Sequence, residues 1–574
     1  MGIILRSCAW SFGLCLAVRL LASLRKWWTR RLYGISREAT VVAFFHPYCN
    51  AGGGGERVLW RAVHALGRLS KDRGGRSIHV IIYTGDVEVS PEDIIAKVRR
   101  QFHIPIRDTV AFPISFVYLR GRWLLDPAKY PVLTLIGQSV GSFILALEAL
   151  VRATPDIFMD TTGCAFSFPA AWAFGCRVGA YVHYPTISTD MLSRVRDRRP
   201  AYNNRGWISS RLAVSNVKLA YYHAFAFLYG LTGSFADVVM VNSNWTRRHI
   251  EMMWCWRWGW SCSALAVVFP PCDTSELESL PLNNMGRQRC IVSVGQFRPE
   301  KDQALQVQAL SALLSFGRDA EGAGGKGHGD GERTAREFRD VRLVLVGSCR
   351  GPTDWEVVNG VKALAEELGV SGNVEVVVNC SFEELKEWLG RASVGIHTMW
   401  NEHFGIGVVE MMASGLVTIA HRSGGPQTDI VIPLPDGEVT GFLADTPNEY
   451  ASIMAAVLRN SSPPELSPSK NTEEDGLGCV GGGGRHAVED VASAAAGTGR
   501  VKFTGQEREI NGGVCPDSID LPVGSGCPGG CVDVLAVRRA GRESARRFSN
   551  TAFDIGFSES FSRLLQQHQK GHYG

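Results

Sequence analysis

Glu402 and Glu410 stand eight residues apart in Trp400-Asn401-Glu402-His403-Phe404-Gly405-Ile406-Gly407-Val408-Val409-Glu410. On one uninterrupted helix they would lie about 80° apart, since each residue turns the chain by about 100°. A loop running into a helix suits them better, with Glu402 in the loop after a strand and Glu410 on the helix. Gly405 and Gly407 then leave backbone N–H groups at the helix start open to a phosphate, with Phe404 and Ile406 in the same contact stretch. In that arrangement Glu402 reaches a sugar and Glu410 accepts hydrogen bonds from ribose hydroxyls. Acids near a helix start also complement the helix dipole on a solvated face. That reading accounts for the charge but not for the glycines or for the strand that feeds the loop.

Three further motifs share this character. Gly295-Gln296-Phe297-Arg298-Pro299-Glu300-Lys301-Asp302 places two cations three residues apart just after a strand pattern. A forked guanidinium and an ammonium suit a diphosphate, although a solvated loop with Arg–Glu and Lys–Asp pairs fits the same letters. His46-Pro47-Tyr48-Cys49-Asn50-Ala51-Gly52-Gly53-Gly54-Gly55-Glu56-Arg57 follows a strand and opens a helix, so Gly53 and Gly54 let the backbone approach an anion. Val58 stands where a dinucleotide fingerprint needs glycine, and no Gly-Lys-Ser/Thr follows as in a Walker A loop. A spectroscopic titration with NAD would test the dinucleotide reading directly. His183, in Tyr181-Val182-His183-Tyr184-Pro185, sits at a strand end that faces the same side, where it serves either a buried structural need or the reacting centre.

The elements that must position these residues are short β-branched runs alternating with helical patterns. Val41–Phe45, His79–Tyr83, Asp156–Met159 and Val178–Val182 read as strands, with a helix from Glu56 to Leu69. The grammar restarts at Cys290–Gly295 and continues through Val341–Gly347, Val374–Val378, Val394–His397 and Leu416–Ala420. Such alternation means βαβ units, parallel sheets and an α/β fold with two Rossmann-like domains, divided between Pro270 and Gly286. The loops at the carboxyl ends of both sheets, including Ser423-Gly424-Gly425-Pro426, then converge on one crevice.

The 574 residues carry 60 Lys and Arg against 56 Asp and Glu, a balance that gives no electrostatic case for a nucleic-acid partner. An odd 15 cysteines scattered along a long chain do not form a disulfide scaffold and suit a reducing compartment. Ile3–Leu24 is apolar except for Arg6 and Arg19, long enough to cross a bilayer, and Arg25, Lys26, Trp27, Trp28, Arg30 and Arg31 follow it. A membrane anchor with a cytosolic body is favoured over a cleaved signal peptide, whose charge precedes its apolar run. Val132–Val151 and Ala220–Phe235 are also apolar, and their polar residues favour a place in the protein core over one in lipid. Gly317–Arg336 is dominated by Gly and charge, and 461–540 is Gly-rich with one aromatic, Phe503; both read as loop or disorder. Cys527 and Cys531 form a lone CxxxC, which is weak as a zinc site. Arg542–Leu565 returns to a helical pattern. The domains expected are a 1–34 anchor, a 35–285 acceptor domain, a 286–545 donor domain containing the insertion, and a 546–574 helix and tail.

Arg298 and Lys301 with Glu402-x7-Glu410 on two Rossmann-like domains resemble the retaining GT-B glycosyltransferases of family four, which use nucleotide sugars. FFHPYCNAGGGGERVLW, LIGQSVGSFILALEAL, YVHYPTISTDML, VVMVNSNWT, SVGQFRPEKDQALQ, LVGSCRGPTD and NEHFGIGVVEMMASG narrow the match. Together they are similar to the GDP-mannose-dependent alpha-1,2-mannosyltransferases of dolichol-linked oligosaccharide assembly in the endoplasmic reticulum. The resemblance runs from Val41 to Asp445 and resumes near Ala545; only the Gly-rich insertions depart from it. It implies a GT-B fold with two domains facing across a cleft and an N-terminal anchor helix in the endoplasmic-reticulum membrane. It implies mannose transfer from GDP-mannose, twice and with retention, to a trimannosyl dolichyl-diphosphate oligosaccharide on the cytosolic face. Arg298 and Lys301 would hold the diphosphate, Glu402 the mannose and Glu410 the ribose. His183 would line the acceptor side, and Gly53 and Gly54 the sugar phosphate. No metal or other cofactor is expected; other early mannosyltransferases are possible partners. Asn244-Trp245-Thr246 and Asn379-Cys380-Ser381 would stay unglycosylated on a cytosolic body. The readings to be weighed against this one are a non-catalytic membrane scaffold that keeps a sugar-nucleotide fold, a dinucleotide-dependent oxidoreductase, and a retaining glycosidase, which needs carboxyls about 5–5.5 Å apart.

Overall fold

The computed structural model describes residues 20–72, 77–110, 112–188, 191, 212–254, 265–316, 337–461 and 532–570. Most of the expected anchor, the stretch Gly317–Arg336, most of the stretch 461–540 and the Cys527/Cys531 pair lie outside them.

The N-terminal half is built on seven strands: β1 (Thr40–Phe45), β2 (Ile78–Thr84), β3 (Ile114–Tyr118), β4 (Ile157–Asp160), β5 (Arg177–Val182), β6 (Val238–Val241) and β7 (Leu265–Val267). Their order is β3-β2-β1-β4-β5-β6-β7 and every pairing is parallel. Parallel strands bury both faces, so alternate residues feed two cores. Val41, Ala43 and Phe45 point to one core and Val42 and Phe44 to the other.

The second half holds β8 (Cys290–Val294), β9 (Arg342–Gly347), β10 (Val374–Val378), β11 (Val394–His397), β12 (Val417–His421) and β13 (Phe442–Ala444). Their order, β10-β9-β8-β11-β12-β13, repeats that of the first sheet less one strand, again all parallel. In both sheets the order reverses beside the first strand, between β1 and β4 and between β8 and β11. Ligands of doubly wound folds bind at that switch point, outside the carboxyl ends. The two switch points face one another, which is the GT-B arrangement.

Of the fourteen helices named here, five frame the site and its surroundings. Residues 20–32 form α1. In chain order there follow α2 (Gly54–Asp72), α3 (Pro91–Phe102), α4 (Thr134–Arg152), α5 (Phe168–Ala173), α6 (Leu212–Gly233) and α7 (Asn244–Trp254) in the first half. The second half contributes α8 (Gln303–Ser315), α9 (Pro352–Glu367), α10 (Phe382–Arg391), α11 (Ile406–Ala413), α12 (Pro447–Ser461), α13 (Val534–Ala545) and α14 (Asn550–Lys570). Helices α2, α7, α8, α11 and α14 concern the site directly.

Three features differ from the sequence reading. Helical chain resumes at Val534, inside the stretch read as loop to 540, because Asp533 caps the helix and Val534 and Val537 bury in the second domain's core. The helical pattern read from Arg542 to Leu565 is two helices: a short turn over Arg546–Phe548 leads to a fresh helix capped by Ser549, whose hydroxyl accepts from the Ala552 N–H. The break carries the chain back to the first domain, where Phe553, Phe557 and Phe561 of α14 pack under the sheet. Asp554 there receives Arg61 of α2 in a two-pronged contact at 2.6 and 2.7 Å. Helix α4 is neither a core helix nor a bare one. Leu145, Ala146, Ala149 and Leu150 are buried, while Ile136, Val140, Phe143, Ile144 and Val151 are exposed. Its polar residues turn inward: Glu148 accepts from the N–H groups of Arg120 and Gly121, and Gln138 donates to the Leu125 carbonyl.

Candidate active site

The glycine loop ends β1 and starts α2. Glu56 sits at the third residue of α2, and its carboxylate reaches back to accept from the Gly53 N–H, one half of a capping box. His46 holds the same carboxylate at 3.2 Å and shares its other ring nitrogen with Thr161 at 2.8 Å. Burial pushes the Glu56 carboxyl up, but the His46 contact and the Gly53 N–H outweigh it and hold the group below its ordinary range. The N–H of Gly53 is thus committed to Glu56, and any anion at this loop must be met by the N–H groups that follow it on α2. A Cβ on Gly54 would stand 3.0 Å from Ile406 of the second domain, so glycine here permits close approach of the two halves. His183 lies beneath the loop, near Gly55, and donates from Nε2 to the Thr161 carbonyl at 3.1 Å. Burial, assisted by the neighbouring His46, lowers its pKa to about 4, so the ring is neutral near pH 7.

Across the cleft, Lys301 ends a short turn before α8. Its backbone carbonyl and that of Asp302 accept from the Thr398 hydroxyl at 3.0 and 2.8 Å, which pins the turn to the end of β11. The ammonium donates to the Glu402 carboxylate, and His397 reaches the same oxygen from Nε2 at 3.2 Å. Nδ1 of His397 is buried without a hydrogen-bond partner, which favours the tautomer with its hydrogen on Nε2. Burial raises the Glu402 pKa, but Lys301 and the His397 hydrogen bond overcome that and keep the carboxyl well below the usual range. The loop carrying Glu402 is tied down by the Gly425 N–H on the Glu402 carbonyl at 2.7 Å and by the Asn401 N–H on the Ser423 hydroxyl at 2.7 Å. Gly405, with φ near +112°, then turns the chain into α11. Glu410, on that helix, faces Arg57 of α2 at 3.4 Å. Burial raises its pKa, and the Arg57 charge offsets this only in part.

The structure therefore sets Gly54 against Ile406 and Glu410 against Arg57 between the domains, pairs Lys301 with Glu402 within the second, and holds His183 under the glycine loop. It treats two of the expected residues differently. Arg298 is half-buried, and its guanidinium faces Glu300 at 3.9 Å rather than the Lys301–Glu402 pair. The Phe404 ring is 3% exposed and packs between Phe269 and Phe548, so only its backbone lies along the cleft. An aromatic after a polar loop residue is as ready to plug a core as to meet a ligand, and here the short loop points it inward. Among the described residues no group of three or more His, Cys, Asp or Glu is placed to hold a metal ion.

Several residues of the cleft escaped the sequence reading. Arg57 closes the glycine motif, but its partner is 353 residues away. His397 ends a strand that was recognised, yet nothing local marks it as the support of Glu402. Asn244, read only as a glycosylation triplet, opens α7 after the capping Ser243 and joins the domains: its backbone N–H and side-chain amide donate to the Asp429 carboxylate at 3.0 and 2.6 Å.

Comparison with known proteins agrees with this geometry. Residues 39–254 match the model of the ALG11 mannosyltransferase N-terminus, and residues 278–474 match that of glycosyl transferases group 1. The GDP-Man:Man(3)GlcNAc(2)-PP-Dol alpha-1,2-mannosyltransferase of Mus musculus is 48% identical over 438 residues, covering 76% of this chain and 83% of the mouse protein. The Homo sapiens protein of the same name is 45% identical over the same shares. Among solved structures, the N-terminal domain of a Candida albicans trehalose-6-phosphate phosphatase aligns with a TM-score of 0.51 at 11% identity, over 93% of this chain and 97% of that one, a likeness of fold alone. Identity at this level, running through most of each relative and across both halves of the cleft, means that this chain belongs to the family of the GDP-Man:Man(3)GlcNAc(2)-PP-Dol alpha-1,2-mannosyltransferases.

Proposed function

We propose that the protein transfers mannose from GDP-mannose in alpha-1,2 linkage, twice in succession, to a trimannosyl oligosaccharide carried on dolichyl diphosphate. The observation that carries this reading is the meeting of the two switch points, where Gly54 approaches Ile406 and Glu410 meets Arg57, with Lys301 and Glu402 paired at the second domain's sheet edge. The names of its close relatives supply the donor, the acceptor and the linkage.

In this reading Lys301 neutralises the departing diphosphate and the N–H groups opening α2 and α11 add to it. Arg298 swings from Glu300 to the diphosphate, and the backbone from Phe404 to Ile406 lines its path. Glu402, held by Lys301 and His397, fixes the mannose, while Glu410 takes the ribose hydroxyls. Protein cations serve where other transferases use a divalent metal. The bond from the mannose anomeric carbon to the phosphate oxygen breaks as the acceptor 2-hydroxyl attacks the same face. The acceptor proton passes to the departing phosphate oxygen, which retains configuration and requires no side-chain nucleophile. His183, a neutral imidazole whose Nε2 is occupied by a backbone carbonyl, shapes the pocket rather than taking that proton.

In this proposal the body works on the cytosolic face of the endoplasmic reticulum, with the acceptor reaching the cleft from the bilayer. One described helix, Thr134–Arg152, is long and apolar enough to cross a membrane by length and composition. Its outer stripe, Ile136, Val140, Phe143 and Ile144, shares a layer with exposed Trp172 of α5 and with Phe227, Leu228 and Leu231 of α6. Trp27 and Trp28 of α1, downstream of the apolar segment at residues 3–24, are exposed as well. A layer this apolar is suited to lie against lipid and holds the enzyme near its acceptor.

The test is transfer from a panel of nucleotide sugars to a synthetic trimannosyl lipid diphosphate. GDP-mannose alone should yield product two mannoses larger and sensitive to an alpha-1,2-mannosidase. Folded protein that binds GDP yet forms no product, or that favours another sugar nucleotide, contradicts the proposal.

A further inference from the structure

The first turn of α7 is where the first domain takes hold of the loop that carries Glu402. Its own residues fix part of it: the Thr246 N–H donates to the Ser243 hydroxyl at 3.1 Å, and the Thr246 hydroxyl to the Asn242 side chain at 2.7 Å. The N–H of Asn244, one of those a helix start leaves without an internal partner, is met from the other domain. One oxygen of the Asp429 carboxylate accepts it at 3.0 Å, and the second accepts the Asn244 amide at 2.6 Å. Thr428 donates to the first oxygen at 2.6 Å, and Asp429 is buried. A carboxylate at a helix N-terminus, shielded from water, makes a strong and directional contact.

Asp429 is rooted where Glu402 is held. It lies in the turn Pro426–Ile430, whose Pro426 and Ile430 side chains come within 3.4 Å of where a Cβ on Gly405 would stand. Just before that turn, the Gly425 N–H donates to the Glu402 carbonyl at 2.7 Å. A Cβ on Gly425 would stand 2.5 Å from the Phe404 carbonyl oxygen, and one on Gly424 would run into that of Glu402. The two backbones are thus in direct contact, and neither can shift without the other. A second link joins α7 to the same loop. The Trp245 ring lies 5.4 Å from that of His403, whose N–H donates to the Glu402 carboxylate at 3.1 Å. Arg547, in the turn where the chain crosses back to the first domain, donates to the Asp429 carbonyl at 3.0 Å.

We infer that Asn244 and Asp429 are positioning residues for the transfer: their contact sets the register of one domain against the other and, through the Gly424–Gly425 backbone, the place of Glu402 relative to the first domain. This rests on the transferase reading above and adds to it the pair that aligns its two halves. Lys301 and Glu410, expected to hold GDP, both belong to the second domain, so loss of the contact spares nucleotide affinity. The first domain's half of the cleft, by contrast, shifts against the mannose. A misplacement of about 1 Å costs up to about 10²-fold in rate.

The experiment uses the full-length enzyme in detergent with GDP-mannose and a synthetic trimannosyl lipid diphosphate. It compares wild type with Asp429→Asn, Asn244→Asp and the exchange Asn244→Asp/Asp429→Asn, and records GDP affinity by calorimetry and the melting temperature of each. Asp429→Asn sets amide against amide and should lower kcat by about 10- to 100-fold, with the GDP Kd within about threefold of wild type. Asn244→Asp sets two buried carboxylates face to face and should lower kcat at least as far. The exchange re-forms a carboxylate–amide pair from groups of the same size and should return kcat to within about fivefold of wild type. Wild-type kcat in Asp429→Asn overturns the inference, and so does an exchange no faster than Asn244→Asp. A kcat that falls only together with melting temperature and GDP affinity also overturns it, because the pair then holds the fold and does not align the reaction. If Asn244→Asp fails to fold, Asp429→Asn and the exchange decide: the exchange must be the faster of the two. Absence of transfer by wild type would instead contradict the function itself.

Discussion

Replacing Lys301 with Ala separates two effects that the structure joins. The ammonium donates to a carboxylate that is 12% exposed and is itself 23% exposed, so water screens the pair only in part. At an effective dielectric of about 20, unit charges about 4 Å apart interact by about 4 kcal/mol. A cation so placed beside a departing diphosphate contributes on the order of 3–4 kcal/mol to the transition state, so Lys301→Ala should lower kcat by about 10²- to 10³-fold. The second effect concerns Glu402. In wild type its pKa is held well below the ordinary carboxylate value, so its contribution is present above about pH 4 and is lost only as pH falls through the lower, folded value. Without Lys301 the upward push of burial is opposed mainly by His397, and the folded pKa rises. The acid limb of the rate profile should therefore move to higher pH in the variant. The assay follows radiolabelled mannose from GDP-mannose into the trimannosyl lipid between pH 5 and 8, with GDP affinity measured separately. Glu402→Gln supplies the converse: kcat falls, while GDP binds as tightly as to wild type or more so, because a negative charge beside the diphosphate has gone. Near-normal turnover of Lys301→Ala, or an unmoved acid limb, would refute the reasoning.

Two other perturbations probe the far ends of the molecule. Glu410→Ala removes the group proposed to accept from the ribose hydroxyls and should weaken GDP binding by about 10- to 100-fold, the worth of hydrogen bonds to a charged group, with little change in acceptor KM; calorimetry reads it, and unaltered GDP affinity would count against the assignment. Asp554→Ala leaves Arg61 buried without its two-pronged partner and should cost about 3–5 kcal/mol of stability, seen as a lowered melting temperature and early proteolysis of α14; an unchanged melting curve would show that the helix is held by its phenylalanines alone.

The parallel sheets were legible because a strand buried on both faces writes itself as a continuous β-branched run. Val41–Phe45 and Val374–Val378 are found within a residue of where the letters place them. Short or mixed strands such as Ile114–Tyr118 and Phe442–Ala444 carry no such run and were not seen. The loops were legible for a related reason. A glycine that follows a strand and precedes a helix has few other uses, so the loop before α2 and the one before α11 both stood out. Contacts between distant residues left no local trace. Arg57 finds Glu410 and Asn244 finds Asp429 only because two domains close on each other. Phe404 illustrates the converse. Its neighbours made it look like a ligand contact, whereas the core beneath the loop had room for its ring. The half-exposed face of α4 was ambiguous for a different reason, since composition counts apolar residues without saying which side of the helix they occupy.

The central claim is that side chains and helix N-termini of both domains grip a nucleoside diphosphate at the meeting of the switch points, with no divalent cation required. Calorimetric titration of GDP into wild type and the Lys301→Ala/Glu410→Ala double variant, in buffer containing a chelator, tests it most directly. The account predicts wild-type binding unaffected by the chelator and reduced at least 100-fold in the double variant; binding that depends on added magnesium, or that survives both substitutions, would contradict it.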